Sequence, residues 1–218
     1  TKLTSSRVWT FDNPSRGIVT VRLPGSVSRD YRDKVALRFY GSGARTVNTV
    51  SMEHYVRGVV PREMPTSWHS EAVQAQAVAA RSYAARYQSS PQTSIYDLCD
   101  TTYCQVYGGQ DAETSGGNSA VAATPNQVLR YGSAVALTMF SSSNGGQTAD
   151  GGLPYLVAKA DPYDGRMRNQ AWSAFLSSTR LQQAYPSIGT FSGLRVSARD
   201  GDGPWGGRAD TVVISGSK

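Results

Sequence analysis

An uninterrupted alanine-rich run restricts the fold of this chain more than any other feature of its sequence. Residues 70–87 contain no glycine or proline, and alanine stands at positions 72, 75, 77, 79, 80, 84 and 85. Alanine is the best helix former, and small side chains on every face let neighbouring segments approach closely. Because the run also carries little charge, we predict a helix that is buried on most of its sides.

Polar side chains within this run need partners. Gln74, Gln76 and Arg81 lie on the predicted helix, and buried polar groups are nearly always hydrogen-bonded. Either these side chains hold neighbouring loops in place, or some of them face a cleft. From the helix alone, the first interpretation is favoured.

One acidic residue, Glu63, stands between Pro61 and Pro65 just before the alanine-rich run. Both prolines fix their own backbone angles and bias the preceding residues away from helix. We therefore predict that a short helix capped by Ser51 ends near Gly58 and that Glu63 lies in a rigid turn. A carboxylate fixed in this way beside a helix is a candidate for catalysis.

Composition narrows the class of protein. The net charge of +6 is carried mainly by arginines scattered along the chain, so the sequence has no nucleic-acid-binding footprint. Charged residues make up 17%, below the usual quarter or so, as is common in exported proteins. No stretch approaches the roughly 18 apolar residues of a membrane span. We expect an extracellular or cell-wall protein whose targeting segment lies outside this sequence.

Short β-rich runs bounded by turn residues predict strands on both sides of the helix. The predicted strands are residues 8–11, 18–23, 35–40, 46–50, 127–131, 135–140, 194–199 and 211–214. Short helices are predicted over residues 119–124 and, with a break near 177–178, over 172–185. The fold class is therefore α+β, with mostly antiparallel β-structure packed around the buried helix and a substrate cleft between loops.

The two cysteines, Cys99 and Cys104, are five residues apart. In an exported protein such a pair most simply forms one local disulfide. The competing interpretation is a zinc site. It would need both His54 and His69, or one of them with a carboxylate or water.

Other sequence patterns leave the chemistry open. A nucleophilic triad has little support, because the chain has no Gly-x-Ser-x-Gly motif. A two-carboxylate glycosidase stays open, because Glu53, Glu71, Asp97 or Asp100 could approach Glu63 in space. The Ser-Ser-Ser-Asn-Gly-Gly-Gln-Thr loop at 141–148 offers groups that bind a sugar or phosphate, although a flexible loop has the same composition.

Five blocks of residues, kept in order, resemble the SpoIID/LytB (stage II sporulation protein D) family. The blocks are residues 53–65 (Glu-His-Tyr-x-x-Gly-Val-Val-Pro-x-Glu-Met-Pro), 75–84 (Ala-Gln-Ala-Val-Ala-Ala-Arg-x-Tyr-Ala), 96–109 (Tyr-Asp-Leu-Cys-Asp-Thr-Thr-x-Cys-Gln-Val-Tyr-Gly-Gly), 140–148 (Phe-Ser-Ser-Ser-x-Gly-Gly-x-Thr) and 154–164 (Pro-Tyr-Leu, then Asp-Pro-Tyr-Asp). The resemblance implies an N-terminal β segment at 1–46, which could form one compact unit with the rest, and a catalytic domain at 47–218. Family members usually continue past the final strand, so the chain is expected to be truncated at its C-terminus.

What the resemblance implies is a peptidoglycan lytic transglycosylase that acts on glycan strands freed of their stem peptides. The family's catalytic glutamate falls on Glu63. As an acid it protonates the glycosidic oxygen between N-acetylmuramic acid and N-acetylglucosamine. As a base it helps the muramic 6-hydroxyl to close a 1,6-anhydro ring. The acid step calls for a carboxyl whose pKa is raised by burial, so Arg62 is predicted to point away from it.

The resemblance also suggests roles for other residues. Gln76 and Arg81 would position Glu63 or the sugar, and Ser142, Ser143 and Asn144 would belong to the opposite wall of the cleft. Tyr155, and likewise Tyr163, would stack on sugar rings or serve the fold. Some family members hold zinc near the cysteine block; the disulfide nevertheless stays the favoured state, and no cofactor is required.

The alternative function belongs to a different class. The LytB name implies a non-catalytic wall-binding protein that stimulates an N-acetylmuramoyl-L-alanine amidase. Such an enhancer would share the cleft and the sugar loop but would tolerate replacement of Glu63 by Gln. A general glycan-binding module would bind intact wall without turnover.

Overall fold

The computed structural model describes residues 8–15, 17–23, 25, 27–164, 173–203 and 206–218. In these ranges the helices are α1 (Met52–Glu63), α2 (Ser70–Gln88), α3 (Ser115–Ala123) and α4 (Ser178–Ala184). The strands are β1 (Val8–Asp12), β2 (Ile18–Arg22), β3 (Ser28–Arg32), β4 (Lys34–Tyr40), β5 (Gly43–Thr49), β6 (Arg130–Tyr131), β7 (Ala134–Val135), β8 (Phe191–Arg199) and β9 (Ala209–Gly216). All the strand pairs are antiparallel, so the predicted α+β class is confirmed.

The chain divides into two compact units, Thr1–Phe140 and Ser141–Lys218. The division into residues 1–46 and 47–218 drawn from the sequence stays a prediction about domain organisation.

The strands of the first unit form a three-stranded sheet in the order β1-β4-β5 and two hairpins, β2-β3 and β6-β7. The predicted runs at 8–11, 18–23, 35–40 and 46–50 correspond to β1, β2, β4 and β5. Strand β3 was not predicted, because Ser-Arg-Asp-Tyr-Arg is polar and has no β-branched residue. Pairing with β2, for example Val19 opposite Tyr31, makes it a strand.

Helix α1 differs from its predicted bounds. Ser51 caps it as expected, because its hydroxyl accepts a hydrogen bond from the His54 N–H. The prediction that this helix ends near Gly58 is wrong: the helix continues through Pro61 to Glu63. Glu63 is therefore the last residue of a helix and not part of a turn between two prolines.

Packing explains why α1 tolerates a proline. Val56, Val59 and Val60 are fully buried, and burial of such side chains stabilises the helix by about 1.5–3 kcal/mol each. Pro61 has no backbone N–H to donate, but it lies in the last turn of the helix, where few hydrogen bonds are lost for this reason. The Met64 N–H donates to the Val60 carbonyl and closes that turn.

Helix α2 matches the predicted alanine-rich helix, and it packs against α1 and α3. One buried cluster of this unit is built from these helices and one later segment. Its members are Val56, Val59, Val60, Val73, Ala77, Ala80, Tyr107, Ala120 and Val121. The alanines of α2 thus allow the close approach of helices that the sequence suggested.

Helix α3 begins at Ser115, four residues before the predicted start at 119. Thr114 caps it by accepting a hydrogen bond from the Gly117 N–H. A Cβ on Gly116 would lie 2.5 Å from the carbonyl oxygen of Thr66. The pair Gly116-Gly117 therefore serves close packing at a helix start.

In the second unit β8 pairs with β9, as predicted from residues 194–199 and 211–214. The predicted helix at 172–185 is shorter: α4 spans Ser178–Ala184, and residues 173–177 are not helical. Ser177 accepts a hydrogen bond from the Arg180 N–H, which fixes the helix start there. Trp172 lies outside the described residues. None of the helices in the described ranges is long and apolar enough to cross a membrane.

Candidate active site

Glu63 lies half-buried at the C-terminal end of α1. Its Oε1 accepts a hydrogen bond of 2.6 Å from the backbone N–H of Val106. No other hydrogen bond to this carboxyl group joins it to a described residue. One oxygen is thus held by the backbone, and the other accepts no hydrogen bond from a described residue.

The residues that hold Glu63 come from a segment that lies along α1, residues 105–109. Besides the Val106 contact, the Gly108 N–H donates to the Gly58 carbonyl at 3.1 Å. The Gln105 amide donates to the Ala80 carbonyl of α2 at 3.4 Å. These contacts fix the segment against both helices, and so they fix Glu63.

Gly58 makes this close approach feasible. A Cβ at this position would lie 2.5 Å from the Tyr107 ring and 2.8 Å from the carbonyl oxygen of Gly109. Both distances are shorter than any ordinary carbon contact, so a larger residue would push the 105–109 segment away from α1.

A pair of tyrosines packs beside Glu63. The rings of Tyr55 and Tyr107 stack with centroids 5.0 Å apart. The Tyr55 hydroxyl donates to Gln105 at 3.2 Å, and that of Tyr107 donates to Asn48 at 2.6 Å. Burial raises the pKa of both phenols, and the negative charge of Glu63 contributes to the rise at Tyr55. Both hydroxyls therefore stay neutral donors at physiological pH.

None of the described residues forms an ion pair with Glu63. Arg62 is exposed, and its methylene groups lie beside Gly108. Of the carboxylates that could have formed a pair with Glu63, Glu53 is bound by Arg81. Glu71 is exposed and paired with His69. These contacts engage Glu53 and Glu71 elsewhere. Asp97 and Asp100 stay candidates for a second carboxyl group, since the charges of Asp100 and Glu63 both act on the Tyr55 phenol.

Arg81 and Gln76, the predicted partners of Glu63 or the sugar, are both buried. Arg81 is 1% exposed, and its guanidinium donates to both oxygens of Glu53 at 2.8 and 2.9 Å. It also donates to the Gln127 carbonyl at 3.2 Å. These contacts support the interpretation in which Arg81 holds α1 and a loop against α2. The Nε2 of Gln76 is buried without a hydrogen-bond partner in the described part of the chain. A substrate role for either residue stays a prediction.

Cys99 and Cys104 are joined by a disulfide, with Cα atoms 5.7 Å apart. Their sulfurs are therefore not available as the thiolates that zinc requires. His54 contacts Asp33 and His69 contacts Glu71, away from the cysteines in sequence. Within the described ranges no three metal-ligating side chains cluster. The residues present do not fit a zinc site.

The second unit contains the predicted sugar loop. Ser143 donates to Asp164 at 3.1 Å, and the Asn144 amide donates to Asp161 at 2.9 Å. Hydrogen bonds from Asn144 and the Tyr163 N–H lower the pKa of Asp161, the backbone one contributing more. Ser142 is exposed. The loop is therefore ordered by carboxylates of its own unit.

Tyr155 lies in the same unit, where it is half-buried. The assignment of Ser142, Ser143, Asn144 and Tyr155 to substrate binding stays a prediction.

Reasoning from the residues alone did not find the groups that hold Glu63. Val106 stands 43 residues after Glu63, so local sequence patterns do not place Gln105, Val106 and Tyr107 beside it. The family blocks include all of them and Tyr55. In the sequence, these residues were indicated by the family blocks, which keep their order, and not by local spacing.

Residues 40–131 match the family described as Stage II sporulation protein, SpoIID. This segment therefore resembles the SpoIID family, in agreement with the five sequence blocks.

Three relatives illustrate the match. An "Amidase enhancer" of Bacillus subtilis (strain 168) is 40% identical over 132 residues, 58% of this chain and 17% of the relative. The "Stage II sporulation protein D" of the same organism is 30% identical over 172 residues, 68% of this chain and 50% of the relative. An uncharacterized protein of Brachyspira hyodysenteriae is 30% identical over 183 residues, 80% of this chain and 49% of the relative. The chain thus spans at most about half the length of these three.

Proposed function

We propose that this chain is a peptidoglycan lytic transglycosylase that cleaves the bond between N-acetylmuramic acid and N-acetylglucosamine in peptide-free glycan strands. The observation that carries the proposal is the position of Glu63, held through one oxygen by the Val106 N–H. A role in the bacterial cell wall is supported by the SpoIID family match and by the names of the relatives.

The proposed reaction needs one carboxyl group in two successive states. Protonated Glu63 first gives its proton to the glycosidic oxygen, and the bond from that oxygen to C1 of the muramic residue breaks. Glu63, now a carboxylate, then takes the proton of the muramic 6-hydroxyl. The oxygen of that hydroxyl bonds to C1 and closes the 1,6-anhydro ring. The proton count balances without a water molecule.

The surroundings of Glu63 support this use. Val106 fixes Oε1 and thereby orients Oε2, since the two oxygens and their carbon are coplanar. Positioning of this kind contributes strongly to rate when the reacting atoms are held close together. In the proposed complex, Ser142, Ser143 and Asn144 line the glycan and Tyr155 stacks on a sugar ring. The reaction would take place outside the cell or in its wall.

The second candidate function is non-catalytic enhancement of a cell-wall amidase. It is favoured by the 40% identity to a relative named as an amidase enhancer. In this case the chain would bind glycan and an amidase, and the Glu63 carboxyl would have no chemical task.

One substitution separates the two candidates. The unmutated chain and Glu63→Gln are incubated with peptide-free glycan strands, and the products are analysed by mass spectrometry. We expect anhydro-muramic ends from the unmutated chain and a loss of at least about 100-fold in rate for Glu63→Gln. Glu71→Gln, which changes an exposed carboxylate of α2, is the matched control and should keep full activity.

Other outcomes would reject the proposal. Hydrated reducing ends would indicate a hydrolase. Bound glycan without products, together with amidase stimulation that survives Glu63→Gln, would establish the enhancer instead.

A further inference from the structure

The first unit contains a cleft that is lined in part by the segment that holds Glu63. Its volume is about 900 Å³, and Glu63 is not among the residues that line it. The walls come from β2 to β5, from α1 and from the loop that ends at the disulfide. Tyr55 and Tyr107 belong to this wall as well as to the neighbourhood of Glu63.

Two arginines of the cleft face each other across a strand pair. Arg38 on β4 stands directly opposite Arg45 on β5, and both line the cleft. Directly opposite side chains in an antiparallel pair have Cβ atoms about 5 Å apart, and like charges there are destabilising. Neither arginine forms an ion pair with a described residue, although Asp97 and Asp100 also line the cleft.

Arg38 also has an unmet hydrogen-bonding requirement. Its Nε is buried and has no acceptor among the described residues. A buried donor without a partner costs about 1–3 kcal/mol. An anion bound by the guanidinium would satisfy this donor and neutralise the paired charges at once. Arg29 on β3 lines the same cleft and adds a third positive charge.

The rest of the lining suits a sugar. Tyr31 is partly exposed, and its ring centroid lies 6.3 Å from that of the buried Tyr107. The Tyr31 ring is available to a sugar, and aromatic faces are common platforms for sugar rings. Asp97 and Asp100 line the cleft from the loop side. Carboxylates there accept hydrogen bonds from sugar hydroxyl or amide groups. The lining therefore combines anion-binding arginines with groups that bind neutral polar atoms.

We propose that this cleft binds a carboxylate-bearing sugar residue, with Arg38 and Arg45 holding the carboxylate. Resting on the function proposed above, the sugar is a muramic residue whose lactyl carboxylate is free because its stem peptide has been removed. Arginine binds carboxylate through two parallel hydrogen bonds. In a strand that still carries peptides, this carboxylate is an amide without charge. The cleft thus gives the chain its selectivity for peptide-free strands.

The test measures binding apart from cleavage. The full chain with Glu63→Gln is titrated calorimetrically with a peptide-free glycan oligosaccharide and with the same oligosaccharide after its lactyl carboxylates are converted to carboxamides. We expect the carboxamide form to bind about tenfold more weakly or worse, as for loss of a charged hydrogen-bonding group. Adding Arg38→Gln should weaken binding of the carboxylate form by a similar factor and leave the carboxamide form unchanged.

Two controls keep the result interpretable. Arg86→Gln removes an exposed arginine that does not line the cleft, and it should leave both affinities unchanged. Arg38→Gln relieves like-charge repulsion, so the free energy of unfolding should not fall. If Arg38→Gln does not fold, the same titrations are made with Arg45→Gln, because the Arg45 side chain is more exposed.

Equal affinity for the carboxylate and carboxamide forms would overturn the inference. So would a glycerol phosphate oligomer that binds more tightly than the carboxylate form in an Arg38-dependent way, which would make phosphate the ligand. Selective binding without anhydro products from the unmutated chain would leave this inference standing and reject the transglycosylase. Anhydro products without selective binding would support the transglycosylase and overturn this inference.

Discussion

At the scale of single residues, two arginines of the first unit each bind a glutamate through a forked pair of hydrogen bonds. Arg81 binds Glu53, and Arg32 binds Glu113. The two pairs join segments that are 28 and 81 residues apart in sequence. A bidentate pair fixes orientation as well as distance. These pairs therefore hold α1 to α2 and β3 to the start of α3.

The pair of Arg32 and Glu113 predicts a loss of stability in acid. Burial alone would raise the pKa of Glu113, but hydrogen bonds from Arg32 and Asn118 outweigh it, and the pKa is lowered. The unfolded pKa of a glutamate is about 4.3. The stabilisation is therefore complete above that value and is lost as the pH falls through the lower pKa of the folded state.

Glu113→Gln should remove this part of the pH dependence. We expect it to lower the free energy of unfolding at pH 7 by about 1–3 kcal/mol, as for lost hydrogen bonds to a charged group. The difference from the unmutated chain should shrink toward pH 3, measured by urea denaturation at several pH values. Asp12→Asn, in an exposed ion pair with Lys34, is the control. A constant difference between pH 7 and pH 3 would contradict the prediction.

At the scale of elements, α2 determines the core through its small residues. Ala77 is fully buried and belongs to the core cluster, whereas Ala75 on the same helix is exposed. The same substitution at these two positions therefore separates packing from helix propensity. Leucine and alanine are both strong helix formers, so propensity changes little at either site.

We expect Ala77→Leu to lower the free energy of unfolding by about 1–3 kcal/mol, because extra methyl groups in a packed core force neighbours apart. Ala75→Leu should change it by less than about 0.5 kcal/mol. Urea denaturation followed by the helical circular dichroism signal measures both. Equal effects at the two positions would show that α2 is not packed as described.

At the scale of the whole molecule, the core cluster and both arginine pairs lie within Thr1–Phe140. A unit with its own core can fold alone. We expect a fragment of residues 1–140 to unfold cooperatively and to keep the near-ultraviolet dichroism of its packed tyrosines. A fragment without that signal would contradict the division into two units.

The same fragment bears on the proposed reaction. Because the predicted sugar loop at 141–148 is absent from it, we expect cleavage of glycan strands to be lost while the fold is kept. Cleavage at an undiminished rate would exclude a contribution of Ser142, Ser143, Asn144 and Tyr155 to catalysis.

Local sequence was sufficient for those features whose cause is local. The alanine-rich run without glycine or proline predicted α2. Short β-rich runs bounded by turn residues predicted most strands. Ser51 was found as a cap because capping involves only neighbouring residues. Glu63 was singled out by its two prolines and given a function by the ordered resemblance to the SpoIID family.

Tertiary structure decided what depends on contacts between distant residues. Burial of Val59 and Val60 carries α1 through Pro61, which no rule about proline alone would allow. Val106, which holds Glu63, is 43 residues away in sequence, and Arg81 is bound by Glu53 rather than exposed to a cleft. Such contacts form because the elements of the first unit bury their apolar surface together. The sequence by itself therefore predicted Glu63 as the candidate glutamate, and only the packing determined what holds it.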